Sequence, residues 1–101
     1  MPIRLESDLE KRACEAAERD GWWALKLVCV GHRGFPDRWF VRKGDERGCY
    51  GIPKIIIIEF KAPGKRARKL QKWVCEKLEA IGFEVWWDVS EWEQVVEILD
   101  L

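Results

Sequence analysis

The sequence predicts an α/β domain in which a small mixed β-sheet is flanked by helices, in the element order α-β-β-β-α-β-α. Two observations lead to this prediction. Residues 55–58 are four consecutive isoleucines without polar alternation, which is typical of a central strand covered on both faces. Apolar residues then recur at helical spacing up to residue 81, and another apolar strand follows. A strand–helix–strand unit of this kind forms a parallel crossover.

The first half of the chain supplies a helix and two strands. Ser7 and Glu10 have the spacing of a capping box, which predicts a helix from about residue 7 to 19. Strands are predicted at 22–30 and 37–41, separated by a turn-rich loop. Residues 42–53, rich in charge and glycine, are expected to connect the second strand to the isoleucine strand as a long antiparallel hairpin.

The second half alternates strand and helix. The isoleucine strand continues through Lys61 and ends at Pro63-Gly64, and a helix follows to about Ile81. Residues 83–89 form the last predicted strand. Ser90 with Glu93 then predicts the start of a final helix that runs to Leu99.

Composition sets limits on the function. The chain has 101 residues, 48% hydrophobic and 36% charged, which predicts one folded domain over residues 1–101. No apolar run approaches the ~20 residues that span a bilayer, and no apolar signal segment is present, so we expect neither membrane insertion nor export. The four cysteines are dispersed, which favours free thiols in the cytoplasm over a zinc site.

Glu59 and Lys61 stand at the end of the most apolar segment. Side chains alternate along a strand, so these two share one face while Ile58 and Phe60 take the other. A carboxylate beside a buried strand is unfavourable unless a cation lies against it. Mg²⁺ is one such cation, and a plain ion pair between Glu59 and Lys61 at a sheet edge is the alternative.

Asp37 favours the metal interpretation. It follows Pro36, which suits the first position of a strand, and the 42–53 hairpin would bring that strand beside Glu59. Both carboxylates could then ligate one metal ion. Lys61 could orient the attacking water or stabilise charge that develops on a phosphate.

The net charge is zero, but one segment is basic. Residues 60–75 contain no acid and carry six cations: Lys61, Lys65, Arg66, Arg68, Lys69 and Lys72. Such a run contacts a phosphate backbone, or it forms an ordinary solvated helix face.

These residues resemble a known family. Gly34-Phe35-Pro36-Asp37-Arg38, then residues 58–64 (IEFKAPG), then Gln71 in the next helix, look like the VRR-NUC branch of the PD-(D/E)XK nucleases. The resemblance implies a restriction-endonuclease-like core and a Mg²⁺- or Mn²⁺-dependent endodeoxyribonuclease. It also implies Asp37, Glu59 and the Phe60 carbonyl as metal ligands, Lys61 as the catalytic lysine, and Gln71 beside the site.

Further residues follow from the resemblance with alternatives left open. Glu10 is the expected helix carboxylate and metal ligand, with Glu6 as its rival and the capping box as its other role. Lys26 reaches the scissile phosphate or extends to water. Arg33 and Arg38 contact phosphate or are solvated in their loop.

Small stand-alone members of this family resemble phage enzymes that act as dimers on branched DNA such as four-way junctions. We therefore expect a bacterial or phage-infected host cell as the location. The adjacent pairs Trp22-Trp23 and Trp86-Trp87 place rings on both sheet faces, which predicts a homodimer interface. Two alternatives are a nuclease for linear or single-stranded DNA and a catalytically silent DNA-binding module.

Overall fold

The computed structural model describes residues 5–28, 36–44, 52–62, 64–65 and 68–101. Within them the elements are α1 Leu5–Arg19, β1 Trp23–Lys26, β2 Arg38–Arg42, β3 Lys54–Phe60, α2 Lys69–Ile81, β4 Glu84–Val89 and α3 Trp92–Leu99. The sheet order is β1-β2-β3-β4, antiparallel except for the parallel β3–β4 pair. The predicted fold class and element order are therefore confirmed.

The isoleucine run of β3 divides the core into two layers. Ile56 and Ile58 point to the side of α1 and α3, where they pack with Ala13, Ala17, Phe40, Val95 and Leu99 (the α1–α3 layer). Ile57 points to the other side and packs with Val74, Cys75, Leu78 and Val85 (the α2 layer). All three isoleucines are essentially inaccessible to solvent, as expected for a strand covered on both faces.

Both predicted helix starts are wrong in detail. The first helix begins at Leu5, so Ser7 lies inside it and does not cap it. The last helix is capped at Glu91 instead of Ser90, because Gln94 Oε1 accepts the N–H groups of Ser90 and Glu91 at 2.9 and 3.0 Å. A glutamine three residues after the cap satisfies free amides as effectively as the predicted glutamate.

The first strand is shorter than the prediction of 22–30. Trp22 precedes it, with its indole buried and its N–H donated to the Leu99 carbonyl at 3.3 Å. Beyond Lys26, the Leu27 N–H continues the pairing by donating to the Asp37 carbonyl at 2.7 Å. Residues 29–30 and most of the 42–53 connection lie outside the described residues. The predicted long hairpin is therefore described only at its two ends.

A β-bulge interrupts the β3–β4 pair. Ile58 pairs with Trp86 and Phe60 pairs with Val89, so that two residues of β4, Trp87 and Asp88, lie opposite Glu59. Asp88 adopts the left-handed conformation, with φ of 65°. The Lys61 N–H donates to the Val89 carbonyl at 2.8 Å just beyond the bulge. No pattern in the sequence predicts this irregularity.

Within the described part of the chain, no helix combines the length and the apolarity that crossing a bilayer requires.

Candidate active site

Glu59 and Lys61 form an ion pair at the end of β3. Lys61 Nζ lies 3.3 Å from Glu59 Oε1, and each side chain is only 14% exposed. Strand alternation places both side chains on one face, as the sequence predicted, and the contact of Glu59 with Gln71 identifies this face as the α2 side. A partly desolvated carboxylate is thus neutralised by an amine two residues further along the strand.

Gln71 joins the same carboxylate to α2. Its Nε2 donates to Glu59 Oε1 at 3.3 Å, while its Oε1 accepts the backbone N–H of Arg68 at 2.9 Å. Arg68 is the N-cap residue of α2, so Gln71 satisfies a free amide at the helix start. The predicted inward orientation of Gln71 is confirmed, because its side chain bridges the helix start to Glu59.

Asp37 directly precedes β2, whose first residue, Arg38, pairs with Ile58, the neighbour of Glu59 in β3. Continued by one residue, this register would bring Asp37 opposite Glu59, and opposite residues in an antiparallel pair point to the same face. Asp37 is 43% exposed, and Lys26 Nζ lies 3.9 Å from its Oδ2.

Glu10 of α1 approaches the same end of the sheet from the α1–α3 side. Its Oε2 accepts a hydrogen bond from Arg38 Nη2 at 2.7 Å and lies 3.9 Å from Lys26 Nζ. Lys26 therefore bridges the carboxylates of Glu10 and Asp37. This pairing replaces the capping-box role that the sequence left open for Glu10.

Arg38 is held by Glu10 and is not presented to solvent. Burial acts to lower the pKa of Arg38, but the hydrogen bond that Arg38 donates to Glu10 and nearby negative charges outweigh it, and the pKa is raised. The side chain is 15% exposed. This placement favours a structural link between α1 and β2 over the predicted contact with phosphate.

Comparison with known proteins identifies the family. The chain is 32% identical over 85 residues to "Putative nuclease p44" of Acyrthosiphon pisum secondary endosymbiont phage 1, covering 84% of this chain and 83% of that protein. A solved structure described as a VRR_NUC domain matches the fold with a TM-score of 0.73, over 97% of each chain, at 22% identity. The chain belongs to the same family as this phage protein, and its fold is that of a VRR_NUC domain. No family model matches the sequence.

The candidate site has the oxygen donors that a hard divalent cation prefers. Glu10, Asp37 and Glu59 supply carboxylate oxygens, and the Phe60 carbonyl follows directly, which are the oxygen ligands that Mg²⁺ and Mn²⁺ prefer. Two ammonium groups, from Lys26 and Lys61, lie against these carboxylates. Among the described residues, however, no three Asp, Glu, His or Cys side chains are close enough to ligate one ion together. The set fits an ion held by one or two carboxylates and water.

The basic residues of the 60–75 segment lie at the start of α2, next to the candidate site. Four of them are exposed: Lys65, Arg68, Lys69 and Lys72. Lys26, on β1, is also exposed, with 56% of its side chain accessible. Arg33 and Arg66 lie outside the described residues. The exposed cations are therefore accessible to a polyanion, whereas the Arg38 side chain is 15% exposed and hydrogen-bonded to Glu10.

Two residues beside the candidate site, Cys75 and Asp88, were not predicted from the sequence as neighbours of Glu59. Cys75 of α2 is fully buried, and burial followed by the charges of Glu59, Glu79 and Asp88 raises the pKa of its thiol to about 11. Asp88 lies in the bulge opposite Glu59. Neither carries a local sequence signal, because the first looks like an ordinary core residue and the second depends on pairing between distant strands.

Proposed function

We propose that this chain is a divalent-metal-dependent DNA endonuclease that hydrolyses phosphodiester bonds in branched DNA. One observation carries the proposal: a partly buried Glu59–Lys61 pair at the end of β3, with Asp37 at the start of the neighbouring strand, one residue before the Arg38–Ile58 pair. Similarity to a phage protein named as a nuclease supports it. Two carboxylates and one amine at a single sheet edge are the chemistry that phosphodiester hydrolysis requires.

Asp37, Glu59, the Phe60 carbonyl and Glu10 are the candidate ligands for Mg²⁺ or Mn²⁺, and an ion would be held by one or two of the three carboxylates together with water. The bound ion would lower the pKa of a water molecule and neutralise charge on the phosphate. Lys26 Nζ lies 3.9 Å from the carboxylates of both Glu10 and Asp37, and Lys61 Nζ lies 3.3 Å from Glu59. The carboxylates therefore already attract positively charged groups to this end of the sheet.

The chain's own side chains then have distinct roles. Lys61 donates a hydrogen bond to the attacking water or to a phosphate oxygen, and Lys26 contacts the scissile phosphate. Gln71 fixes the orientation of the Glu59 carboxylate through its 3.3 Å contact. The exposed cations at the start of α2 bind the backbone without reading sequence.

The first experiment is a panel of labelled substrates. Four-way junction, flap, duplex and single-stranded DNA would each be incubated with Mg²⁺, Mn²⁺ or EDTA. We expect cutting of the junction with metal and none with EDTA. Equal cutting of all four substrates would remove the branch preference and leave a nuclease for linear DNA. Failure of the folded protein to cut any of them would favour a silent DNA-binding module.

We also propose that the chain acts as a homodimer, in the cytoplasm of a bacterial or phage-infected cell. Trp23 of the edge strand β1 is 64% exposed and Trp86 of the other edge strand is 45% exposed. Large apolar side chains on two sheet edges are typical of a covered surface. A dimer would present two sites to the arms of a junction.

Light scattering tests the dimer. Trp23→Arg and Trp86→Arg are expected to shift the mass at micromolar concentration from dimer to monomer. Trp73→Arg is the matched control, because Trp73 is 56% exposed on α2 and belongs to neither sheet edge. A monomeric wild-type protein at that concentration would refute the proposal.

A further inference from the structure

The bulge in β4 places an extra residue beside Glu59. Bulges are rare in parallel pairs and are over-represented next to active sites, where they redirect a side chain. Here the irregularity falls between Ile58 and Phe60, the two neighbours of Glu59. The redirected residue is Asp88, which is partly buried.

Asp88 lies at the bulge between Trp87, which packs against the α2 layer, and Val89, which belongs to the α1–α3 layer. Its positive φ of 65° is a conformation that Asp, Asn and Gly accept more readily than other residues. The charges of Glu59, Asp88 and Lys61 all act on the buried Cys75 thiol of α2. The Lys61 N–H donates to the Val89 carbonyl at 2.8 Å, and this bond holds the end of β3 beside the end of β4.

Lys61 needs a second partner if the proposed chemistry operates. Its ammonium, 14% exposed, contacts Glu59 Oε1, and the same oxygen accepts from Gln71. When that carboxylate binds a divalent cation, the attraction between Glu59 and Lys61 is lost. A poorly solvated ammonium without a carboxylate is unfavourable and poorly oriented.

We propose that Asp88 is a positioning residue for Lys61, and that its carboxylate holds the ammonium when Glu59 turns to a divalent cation. This inference rests on the proposed nuclease function and deepens it. Asp88 itself touches neither the cation nor the phosphate. Its effect is exerted through Lys61.

Two substitutions separate the charge of Asp88 from its backbone conformation. Asp88→Asn and Asp88→Gly both accept a positive φ, and both remove the carboxylate. We expect kcat to fall at least tenfold in each, with an unchanged KM for DNA. Mn²⁺ affinity, measured from the paramagnetic resonance signal of the free ion, should stay at the wild-type value. Combining Asp88→Asn with Lys61→Met should give no further loss beyond Lys61→Met alone.

Asp100→Asn is the matched control. Asp100 is the other described non-glycine residue with positive φ, at 55°, and it caps the exposed end of α3 away from Glu59. Its substitution should leave kcat unchanged. A wild-type kcat in Asp88→Asn, or a loss of Mn²⁺ affinity in that variant, would overturn the inference while leaving the nuclease proposal intact.

A second measurement does not depend on cleavage. In a Glu59→Gln background, Lys61 has lost its first carboxylate, and Asp88 should become its partner. Urea unfolding of this variant, with Asp88→Asn, with Lys61→Met and with both, gives a double-mutant cycle. We expect a coupling of at least fivefold in the unfolding equilibrium constant. Additive effects would contradict the role of Asp88 even if the wild-type protein cuts no substrate.

Discussion

Gln71 of α2 donates a hydrogen bond from its Nε2 to Oε1 of Glu59 in β3 at 3.3 Å. The Oε1 atom of the same Gln71 accepts the backbone N–H of Arg68 and so caps the start of the helix. One side chain thus serves the helix start and a candidate metal ligand at the same time. Any movement of the first turn of α2 therefore reaches the Glu59 carboxylate directly.

Gln71→Ala should reduce both stability and cleavage. It removes the helix-start hydrogen bond, which costs about 1 kcal/mol in the free energy of unfolding. It also frees the Glu59 carboxylate, and loss of such an orienting contact lowers activity about 10- to 100-fold. Urea denaturation and single-turnover cleavage measure the two effects.

Gln94→Ala is the matched control, because Gln94 makes the same kind of capping contacts at α3. It should lose similar stability and retain cleavage. If both variants lose activity to the same extent, Gln71 acts only through helix stability.

Lys61→Ala should abolish cleavage and destabilise the fold. The substitution leaves the Glu59 carboxylate, which is 14% exposed, without its ammonium partner. This loss should lower the free energy of unfolding by about 1–3 kcal/mol. It also removes a donor for charge on the phosphate, which lowers the rate about 100-fold or more. Lys77→Ala on α2, where the ammonium lies 5.1 Å from the Trp73 ring, is the control and should cleave normally. Normal cleavage by the Lys61 variant would exclude a catalytic lysine at this position.

Asp37→Ala should leave the metal-free fold nearly unchanged. Asp37 is 43% exposed and its ion pair with Lys26 at 3.9 Å is worth at most about 1 kcal/mol. A bound ion stabilises a folded protein by mass action, so Mn²⁺ should raise the Tm of the wild-type protein but not that of the variant. Thermal unfolding with Mn²⁺ and with EDTA makes the measurement. An equal rise in both proteins would remove Asp37 from the metal site.

Lys69→Ala with Lys72→Ala should weaken DNA binding in a salt-dependent way. Each phosphate contact contributes about 0.9 to the slope of log K against log salt concentration, so two lost contacts reduce the slope by about 2. Fluorescence anisotropy over a salt series measures it. Lys77→Ala, further along the same helix, should leave the slope unchanged. The same slope in all three proteins would mean that the start of α2 is only a solvated surface.

Cys75 should make stability fall at alkaline pH. Burial and nearby carboxylates raise the pKa of its thiol from 9.0 to about 11, so the folded state holds the proton more tightly than the unfolded state. This stabilisation is complete below pH 9 and is lost as the pH rises towards 11, by up to about 3 kcal/mol.

The difference between the wild-type protein and Cys75→Ala isolates this effect from lysine deprotonation, which occurs in both. Urea unfolding at pH 8, 9, 10 and 11 should give curves that converge as the pH rises. Parallel curves would show that the thiol titrates normally in the folded protein.

The strand pattern predicted the parts of the site that depend on local alternation. The isoleucine run located β3, and period two placed Glu59 and Lys61 on one face. The predicted hairpin pairs β2 with β3 in antiparallel register, which brings the start of β2, next to Asp37, beside the end of β3. These features follow from neighbours within a few residues, which is why a single sequence is sufficient for them.

Other parts depend on contacts between distant residues. Ser7 and Glu10 have the spacing of a cap, yet Glu10 pairs with Arg38, 28 residues away, because the two side chains meet only after α1 packs on the sheet. The bulge at Asp88 arises from a mismatch in register between β3 and β4. Neither strand alone contains a signal for it.

The two layers of the core are unequal, and this bears on how the protein responds to heat. Among the described residues the α1–α3 layer has ten buried apolar side chains, whereas the α2 layer, which supports Gln71 and the buried side of Glu59, has five. Segments with fewer buried contacts open at lower free energy than the whole domain. Catalytic competence should therefore fade on warming before the sheet and α1 melt, so a thermal inactivation midpoint would lie below the calorimetric transition.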